Sequence, residues 1–318
     1  MRRLLVWLML GAGSIWPAQE PAYSAVRNAR ALLRAGNRAE AERTLRSALT
    51  NGDDSAEVHG ELGLMLYRQG RFRDAVPELG RAAQLNPESA EYSLKLAASI
   101  LGDHRYGVAV ELLQTMASRF GTLAEYQYDL GIAHYGIHNY KNAIHALEEA
   151  IRIDPKMDLA HFFLGNAWAV SGGLDKAVAS YRKALTLNPT NAGYCLALGK
   201  VLGQLGPDYD REAIEWLRKA LRLKPADAAS EFALALACER VNDLPCAKTF
   251  AEDVAKRYPD ELSPAVVLAR LYGKLHETEK ASAARANVQR LQGAAQRGSD
   301  GDRFPETDLR QQRPADRR

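Results

Sequence analysis

Residues 158–191 read DLAHFFLGNAWAVSGGLDKAVASYRKALTLNPTN, and this stretch predicts two short helices joined by a tight turn. Gly172 and Gly173 interrupt the helical pattern between two apolar segments. Pro189 ends the second helix near Leu187, because a proline ring removes an amide donor and clashes with the preceding turn. One such helix pair cannot bury its own apolar face, so the stretch requires neighbours of the same kind.

The small and large residues of this stretch are spaced as a helix pair requires. Gly165 and Ala177 lack bulk, so the two antiparallel helices can approach closely at these positions. Leu164, Trp168 and Tyr181 then fill the space around the contact. Together with Ala184 and Pro189, these residues lie at the offsets of a known helix-turn-helix pattern, and the stretch resembles one tetratricopeptide repeat.

The same pattern recurs along the chain at steps of about 34 residues. The resemblance covers residues 22–292 and implies an all-α fold, a right-handed α-solenoid of about eight helix-turn-helix units. The first unit is degenerate, and the third has Gly121 where proline is usual, so we expect Gly121 to end its helix in a left-handed conformation. In the sixth unit the second helix arrives two residues late, which predicts a lengthened turn at 206–210. The seven clearer units begin their Leu-Gly or Leu-Ala pair at Leu62, Leu96, Leu130, Leu164, Leu198, Leu234 and Leu268.

Composition and charge exclude some classes of partner. The chain has 318 residues, of which 47% are hydrophobic and 25% are charged, an ordinary mixture for a folded protein. Its formal net charge is +3, and removal of Arg2 and Arg3 with a leader would leave it nearly neutral. A nearly neutral chain argues against nucleic acid as the partner.

The first residues have the pattern of a secretory signal peptide. Arg2 and Arg3 precede an apolar run from Leu4 to Leu10, and small residues follow near Ser14 and Ala18. The run is shorter than the roughly 20 residues that span a bilayer. We therefore expect residues 1–21 to be a leader whose cleavage site the pattern leaves open, with an uncleaved anchor as the alternative and no other membrane span.

The other end of the chain is polar. In the eighth unit Arg285 replaces the usual apolar residue, as expected for a terminal repeat that faces water. Residues 293–318 consist mainly of Gly, Gln, Asp, Arg and Pro, so we expect a disordered charged tail.

The sequence carries no recognisable catalytic motif. His59 and His161 occupy positions where these repeats usually place a core aromatic, which indicates packing. His134 and His138 are four residues apart, but no Glu follows His134, so the zinc-protease pattern is absent. Phosphate-binding loops, nucleophile elbows and Cys-x-x-Cys pairs are missing as well. We therefore expect neither an enzyme nor a metal or cofactor site.

Three cysteines remain. Cys238 comes late in the first helix of the seventh unit and Cys246 early in the second, so the two can approach across the short hairpin. An oxidising compartment would favour a disulfide between them, and two buried thiols are the alternative. Cys195 is expected to lie in the core.

The resemblance also implies a binding surface. In proteins of this family the first helices of successive repeats line a concave groove, and certain positions on them vary with the partner. Asn166 and Lys200 fall at equivalent positions of adjacent repeats, but Phe162 and Leu196 beside them do not fit a carboxylate clamp. The implied groove is lined by Leu64, Tyr67, Leu101, Tyr128, Ile132, Tyr135, Phe162, Asn166, Lys200, Phe232 and Leu236, with Arg68, Leu94, Ala98, Leu196, Arg240, Val266 and Arg270 at further such positions.

These features predict a non-catalytic protein that holds a peptide or protein partner in the groove. Because the leader is joined directly to repeats, we expect an exported protein, periplasmic or secreted, that acts as an adaptor or assembly factor of a bacterial envelope. The alternatives are a scaffold that associates with itself and, last, an envelope hydrolase.

Overall fold

The computed structural model describes residues 20–297, and within this range all regular structure is helical. The described residues fall into two compact units, which divide between Asp103 and His104. The described helices of the first unit are α1 (Glu20–Arg34), α2 (Arg38–Thr50), α3 (Ala56–Arg68), α4 (Phe72–Leu85) and α5 (Ala90–Gly102). Those of the second unit are α6 (Tyr106–Phe120), α7 (Ala124–Gly136), α8 (Tyr140–Ile153), α9 (Asp158–Val170), α10 (Leu174–Leu187), α11 (Ala192–Leu205), α12 (Asp210–Leu223), α13 (Ala228–Arg240), α14 (Leu244–Arg257), α15 (Leu262–Lys274) and α16 (Thr278–Arg297).

The helices pack in chain order within each unit. In the first unit α1 packs on α2, α3 on α4, and α4 on α5. In the second unit α7 pairs with α8, and the same pairing continues to α15 with α16, while the second helix of each pair also packs on the next pair. We call the first helices of the pairs (odd numbers) A helices and the second ones B helices. The prediction of an all-α solenoid of helix pairs is confirmed.

The small residues of the motif lie where two helices of a pair touch. A Cβ added at Gly165 would lie 2.6 Å from the ring of Tyr181, and one at Gly131 would lie 2.6 Å from Cγ of Leu147. Ala143 and Ala177 on the facing helices are fully buried. A larger side chain at any of these positions would push the helices apart, which explains why the motif places glycine and alanine there.

The turns inside the helix pairs require a left-handed residue. Gly172 supplies it with φ 81° between α9 and α10, whereas His138 and Asn242 adopt φ 62° and 61° in the corresponding turns of an earlier and a later pair. Glycine takes this conformation without steric cost, and Asn tolerates it better than most residues do.

Two expectations about irregular segments had different outcomes. The lengthened turn of the sixth unit is confirmed, since a 3-10 turn at Pro207–Tyr209 fills it. The left-handed conformation expected at Gly121 is wrong, because Gly121 has φ −56° and ψ −21°. There the chain continues through right-handed turns, in which the Gly121 amide donates to Ala117 and the Leu123 amide donates to Phe120.

Ion pairs about 30 residues apart join neighbouring repeats. Arg240 Nε donates to Asp210 Oδ1 at 2.6 Å, and Arg182 Nη2 donates to Glu212 Oε1 at 2.7 Å. Since this spacing is close to one repeat length, each ion pair joins a side chain of one repeat to a side chain of the next repeat. Arg182 and Glu212 are both solvent-accessible, and an exposed pair of this kind contributes about 0 to 1 kcal/mol, whereas the Asp210 side chain is only 3% exposed.

The predicted leader, residues 1–21, lies outside the described residues except for the start of α1. Of the predicted tail, residues 293–297 continue α16, because Ala, Gln and Arg favour helix, and the rest lies outside the described residues. Between residues 20 and 297, no helix combines the length and the apolar character needed to cross a bilayer.

Candidate partner-binding surface

The A helices of the second unit contact one another in sequence, from α7 to α9, α11, α13 and α15. On each of them, residues four apart lie on the same side of the helix. Taking the fifth, ninth and thirteenth residues of α9, α11, α13 and α15 defines one strip, which we call the A-helix face. It consists of Phe162, Asn166, Val170, Leu196, Lys200, Gln204, Phe232, Leu236, Arg240, Val266, Arg270 and Lys274.

Several residues predicted for the groove lie instead in the packing between repeats. Tyr128, Ile132 and Phe162 are only 7%, 6% and 2% exposed. The ring of Phe162 stacks on Tyr194 with 4.8 Å between ring centroids and also meets Tyr181 at 5.8 Å. These side chains therefore hold successive repeats together and offer little area to a partner.

The predicted residues of the first unit divide in the same way. Leu64 and Leu101 are buried in the core. Tyr67 is half-buried, with its ring 5.7 Å from Phe72 and with Lys95 Nζ 5.2 Å from its centroid. Only Tyr67 of these three keeps a face available for contact.

Three predicted residues of α7, α9 and α11 remain accessible. Tyr135 is half-buried and meets Tyr140 edge to face at 5.6 Å. Asn166 is also half-buried, and its Oδ1 accepts a hydrogen bond of 2.7 Å from the Tyr181 hydroxyl. Burial raises the pKa of Tyr181 far above its usual range, so the phenol remains a donor that fixes the Asn166 side chain. Lys200 is exposed.

On the A-helix face, the apolar side chains of α13 and α15 are more exposed to solvent than Phe162 and Leu196 on α9 and α11. Phe232 and Leu236 of α13 are half-buried, and Val266 of α15 is 37% exposed. Val170, at the end of α9, is 54% exposed and is absent from the predicted set. Its position at the end of an A helix is the signal that could have identified it, because Gln204 and Arg240 at the same position are also exposed.

The A-helix face also carries Arg240, Arg270 and Lys274, whose acidic partners are buried. Arg270 donates two hydrogen bonds to the carboxylate of Glu239, at 2.6 and 2.5 Å, and Lys274 Nζ donates a third at 2.8 Å. Burial would raise the pKa of Glu239, but these hydrogen bonds outweigh burial and hold that pKa below its usual range. Glu239 and Asp210 are 7% and 3% exposed at the side chain, whereas Arg270 is 48% exposed. The A-helix face is therefore cationic at its surface.

Sequence reasoning did not find Glu239 or Asp210. The signal was present, because each precedes its arginine by about 30 residues. A buried carboxylate of this kind holds the guanidinium in place at the surface.

Neighbouring polar groups hold His59 and His161 in place. His161 is buried, its Nε2 lies 3.2 Å from the Pro155 carbonyl, and burial lowers its pKa. His59 lies between two carboxylates, with Nδ1 2.7 Å from Glu78 and Nε2 2.9 Å from Asp54. This agrees with the structural role that the sequence indicated for both residues.

The cysteine alternatives are resolved in favour of a bridge. The structure joins Cys238 and Cys246 as a disulfide across the α13–α14 hairpin, with 5.9 Å between the Cα atoms. Cys195 is a free thiol in the core, as expected, and burial raises its pKa. The bridge ties α13, which carries Phe232 and Leu236, to its B helix.

The chain matches a family model. The family model described as "Tetratricopeptide repeat" matches residues 26–90, 62–122 and 128–192, which together make up more than half of the chain. No curated protein sequence matches significantly.

The chain also matches solved structures. The structure of Pseudomonas aeruginosa PilF is 19% identical with a TM-score of 0.60, and the match covers 68% of this chain and 97% of that one. The APC/C hetero-tetramer Cut9–Hcn1 is 19% identical with a TM-score of 0.52, covering 79% of this chain and 49% of that one. A thermophilic repeat protein of Thermus thermophilus, TTC0263, is 26% identical with a TM-score of 0.49, covering 58% and 99%. At identities below 25%, the first two show the fold alone.

Proposed function

We propose, from the premise that this chain belongs to the tetratricopeptide repeat family, that it binds a peptide or protein segment along its A-helix face. Repeats of this family generally serve as interaction modules rather than as catalysts, because a stack of helix pairs presents an extended surface. The finer proposal is that the A helices α9 to α15 carry the contact.

One observation carries this proposal: apolar side chains on successive A helices stay accessible in a folded repeat array. Phe232, Leu236 and Val266 are half-buried or exposed on the adjacent helices α13 and α15, and Val170 is exposed at the α9 end of the A-helix face. Accessible apolar side chains that form one strip usually mark an interaction site, while scattered ones do not. An accessible aromatic side chain such as Phe232 suits a peptide, because it offers large contact area with little loss of side-chain freedom.

A matched pair of variants tests the surface. Val266 on the A-helix face and Leu223 on the B helix α12 are both 37% exposed, so Asp at either position should remain solvated, and circular dichroism checks that both variants keep the fold. The full chain is immobilised and used to capture partners from an extract of its own source, with identification by mass spectrometry. Val266→Asp should lose the captured partner, and Leu223→Asp should retain it.

Two outcomes would contradict the proposed surface. Equal capture by both variants, with unchanged circular dichroism, would place the contact elsewhere. If the immobilised chain captures only further copies of itself, and its mass in light scattering rises with concentration, the self-associating scaffold would be favoured.

We further propose that the protein works outside the cytoplasm, as an adaptor or assembly factor of a bacterial envelope. The charged start and apolar run of residues 1–21 support export. The Cys238–Cys246 bridge supports it independently, since disulfides persist mainly in oxidising compartments. Cell fractionation with N-terminal sequencing tests this, and a cytosolic protein that retains residues 1–21 would overturn it.

A further inference from the structure

Three side chains that can ligate a metal ion meet at the hairpin between α13 and α14. Cys238 lies near the end of α13, Cys246 in the first turn of α14, and Asp243 immediately before α14. Their sulfur and carboxylate oxygen atoms all lie within 4.8 Å of one another. We propose that the reduced hairpin binds a thiophilic divalent cation, best Zn²⁺, through Cys238 Sγ, Cys246 Sγ and the carboxylate of Asp243.

The backbone already holds the two cysteines at a suitable separation. A tetrahedral zinc ion with Zn–S bonds of about 2.3 Å keeps two sulfur atoms about 3.8 Å apart. With 5.9 Å between the Cα atoms of Cys238 and Cys246, rotation of the two side chains provides this spacing. Neither helix has to move, so reduction leaves a preformed pair of ligands.

Asp243 is held beside the sulfur atoms by its capping role. Its Oδ1 accepts a hydrogen bond of 3.1 Å from the Cys246 amide, which fixes the side chain at the start of α14. A carboxylate has two oxygens, so the second can ligate an ion while the first continues to cap the helix. Asp243 is exposed and Cys246 is half-buried, whereas Cys238 is fully buried, and an ion can therefore enter from the solvent side.

The donor set selects the class of ion. Two thiolates and one carboxylate bring three negative charges, and sulfur ligands favour Zn²⁺ over the oxygen-seeking Mg²⁺ and Ca²⁺. Cys246 lies in the first turn of α14, where the positive end of the helix dipole favours the thiolate. Three protein ligands leave a fourth position for water or for a group of a partner.

The disulfide and the metal complex exclude each other, because each uses both sulfur atoms. A dithiol reductant supplies two electrons and two protons, breaks the sulfur–sulfur bond, and is itself oxidised to a disulfide. Zn²⁺ then replaces the two thiol protons, which are released to solvent. The α13–α14 hairpin is thus cross-linked by a disulfide under oxidising conditions and by a metal ion under reducing conditions.

Cobalt titration of the full chain tests the site. The protein is reduced with a phosphine, freed of metal, and titrated with Co²⁺, whose thiolate charge-transfer bands report sulfur ligation directly. One Co²⁺ per chain should bind, and Zn²⁺ should displace it. Asp243→Asn should bind at least tenfold more weakly, because Asn keeps the helix cap but removes the ligand charge.

The oxidised wild-type chain is the matched control, since it has the same sequence and fold and should show no band. Cys195→Ser should bind like the reduced wild type, because Cys195 is buried outside the hairpin. The proposal falls if the reduced chain binds no more Co²⁺ than the oxidised chain. It also falls if Asp243→Asn binds as tightly as wild type, or if Cys195→Ser loses the bands.

Discussion

The contact between α9 and α11 and the contact between α13 and α15 use equivalent positions for different purposes. In the first, Phe162 is 2% exposed and its ring stacks on Tyr194. In the second, Phe232 occupies the same helix position as Phe162 but stays half-buried, and the helices are joined by Arg270 and Glu239. Aromatic stacking buries Phe162 in the first contact, whereas Phe232 in the ion-paired second contact remains partly exposed to solvent.

The difference shows how one repeat pattern yields both a core and a surface. A bulky neighbour such as Tyr194 covers the fifth position of the preceding A helix, so that position contributes to stability. In α15 the residue equivalent to Tyr194 is Pro264, which has no aromatic ring to stack, and Phe232 on the preceding A helix stays half-buried. Binding residues therefore depend on the next repeat as much as on their own.

The largest expected effect comes from truncating the two phenylalanines. Phe162→Ala should lower the free energy of unfolding by about 3 to 5 kcal/mol, because it removes a fully packed aromatic ring and leaves a cavity. Phe232→Ala should lower it by about 1 to 2 kcal/mol, since its ring is already half-exposed. Urea unfolding followed by circular dichroism measures both values, and equal losses would remove the distinction between the two contacts.

A smaller effect is expected from Glu239, and it depends on pH. Because the pKa of Glu239 is lowered in the folded state, its ion pairs stabilise the protein above the ordinary carboxyl pKa of about 4.3. That contribution is lost as the pH falls through the folded-state pKa. Glu239→Gln should therefore lower the free energy of unfolding by about 1 to 2 kcal/mol at pH 7. Between pH 7 and pH 3, the free energy of unfolding of this variant should fall less than that of the wild type.

Unfolding free energies measured between pH 7 and pH 3 provide the check. Glu279→Gln is the matched control, since Glu279 is exposed on α16, and its profile should follow the wild type. Parallel profiles for wild type and Glu239→Gln would mean that the ion pairs do not hold α13 to α15.

The smallest effect is expected in the turns of the same repeats. Gly172→Ala should lower the free energy of unfolding by about 1 kcal/mol, because φ 81° strains any residue with a Cβ. A steric clash is not expected, since no neighbouring atom lies within 4 Å of the added Cβ. Asn242→Gly, in the α13–α14 turn, should change stability by about 0.5 kcal/mol or less, since Asn already tolerates this conformation. Thermal unfolding compares the two, and a neutral Gly172→Ala would show that the turn relaxes.

Much of the fold followed from local patterns. Pro189 predicted the end of the fifth unit's second helix near Leu187, and α10 ends at Leu187. Gly165 and Ala177 predicted a close approach, and both lie at the helix contact. The left-handed conformation predicted for Gly121 is wrong, because residues 121–123 form a right-handed turn that depends on hydrogen bonds rather than on composition.

The candidate surface was less predictable. The resemblance placed Phe162 and Phe232 in one set, and the structure separates them by burial. The difference comes from side chains on the next A helix, about one repeat further along the chain, and periodicity within a helix carries no information about their size.

Sequence alone determined the helix pairs, their order and the positions of their small residues, because these depend on turn-breaking residues and on spacing within about 34 residues. Only the tertiary structure decided that Cys238 and Cys246 form a bridge and that Glu239 lies buried under Arg270 and Lys274. Tertiary structure likewise decided which members of the A-helix face stay open. Each of these depends on distances between atoms of different helices, which packing sets and local sequence does not.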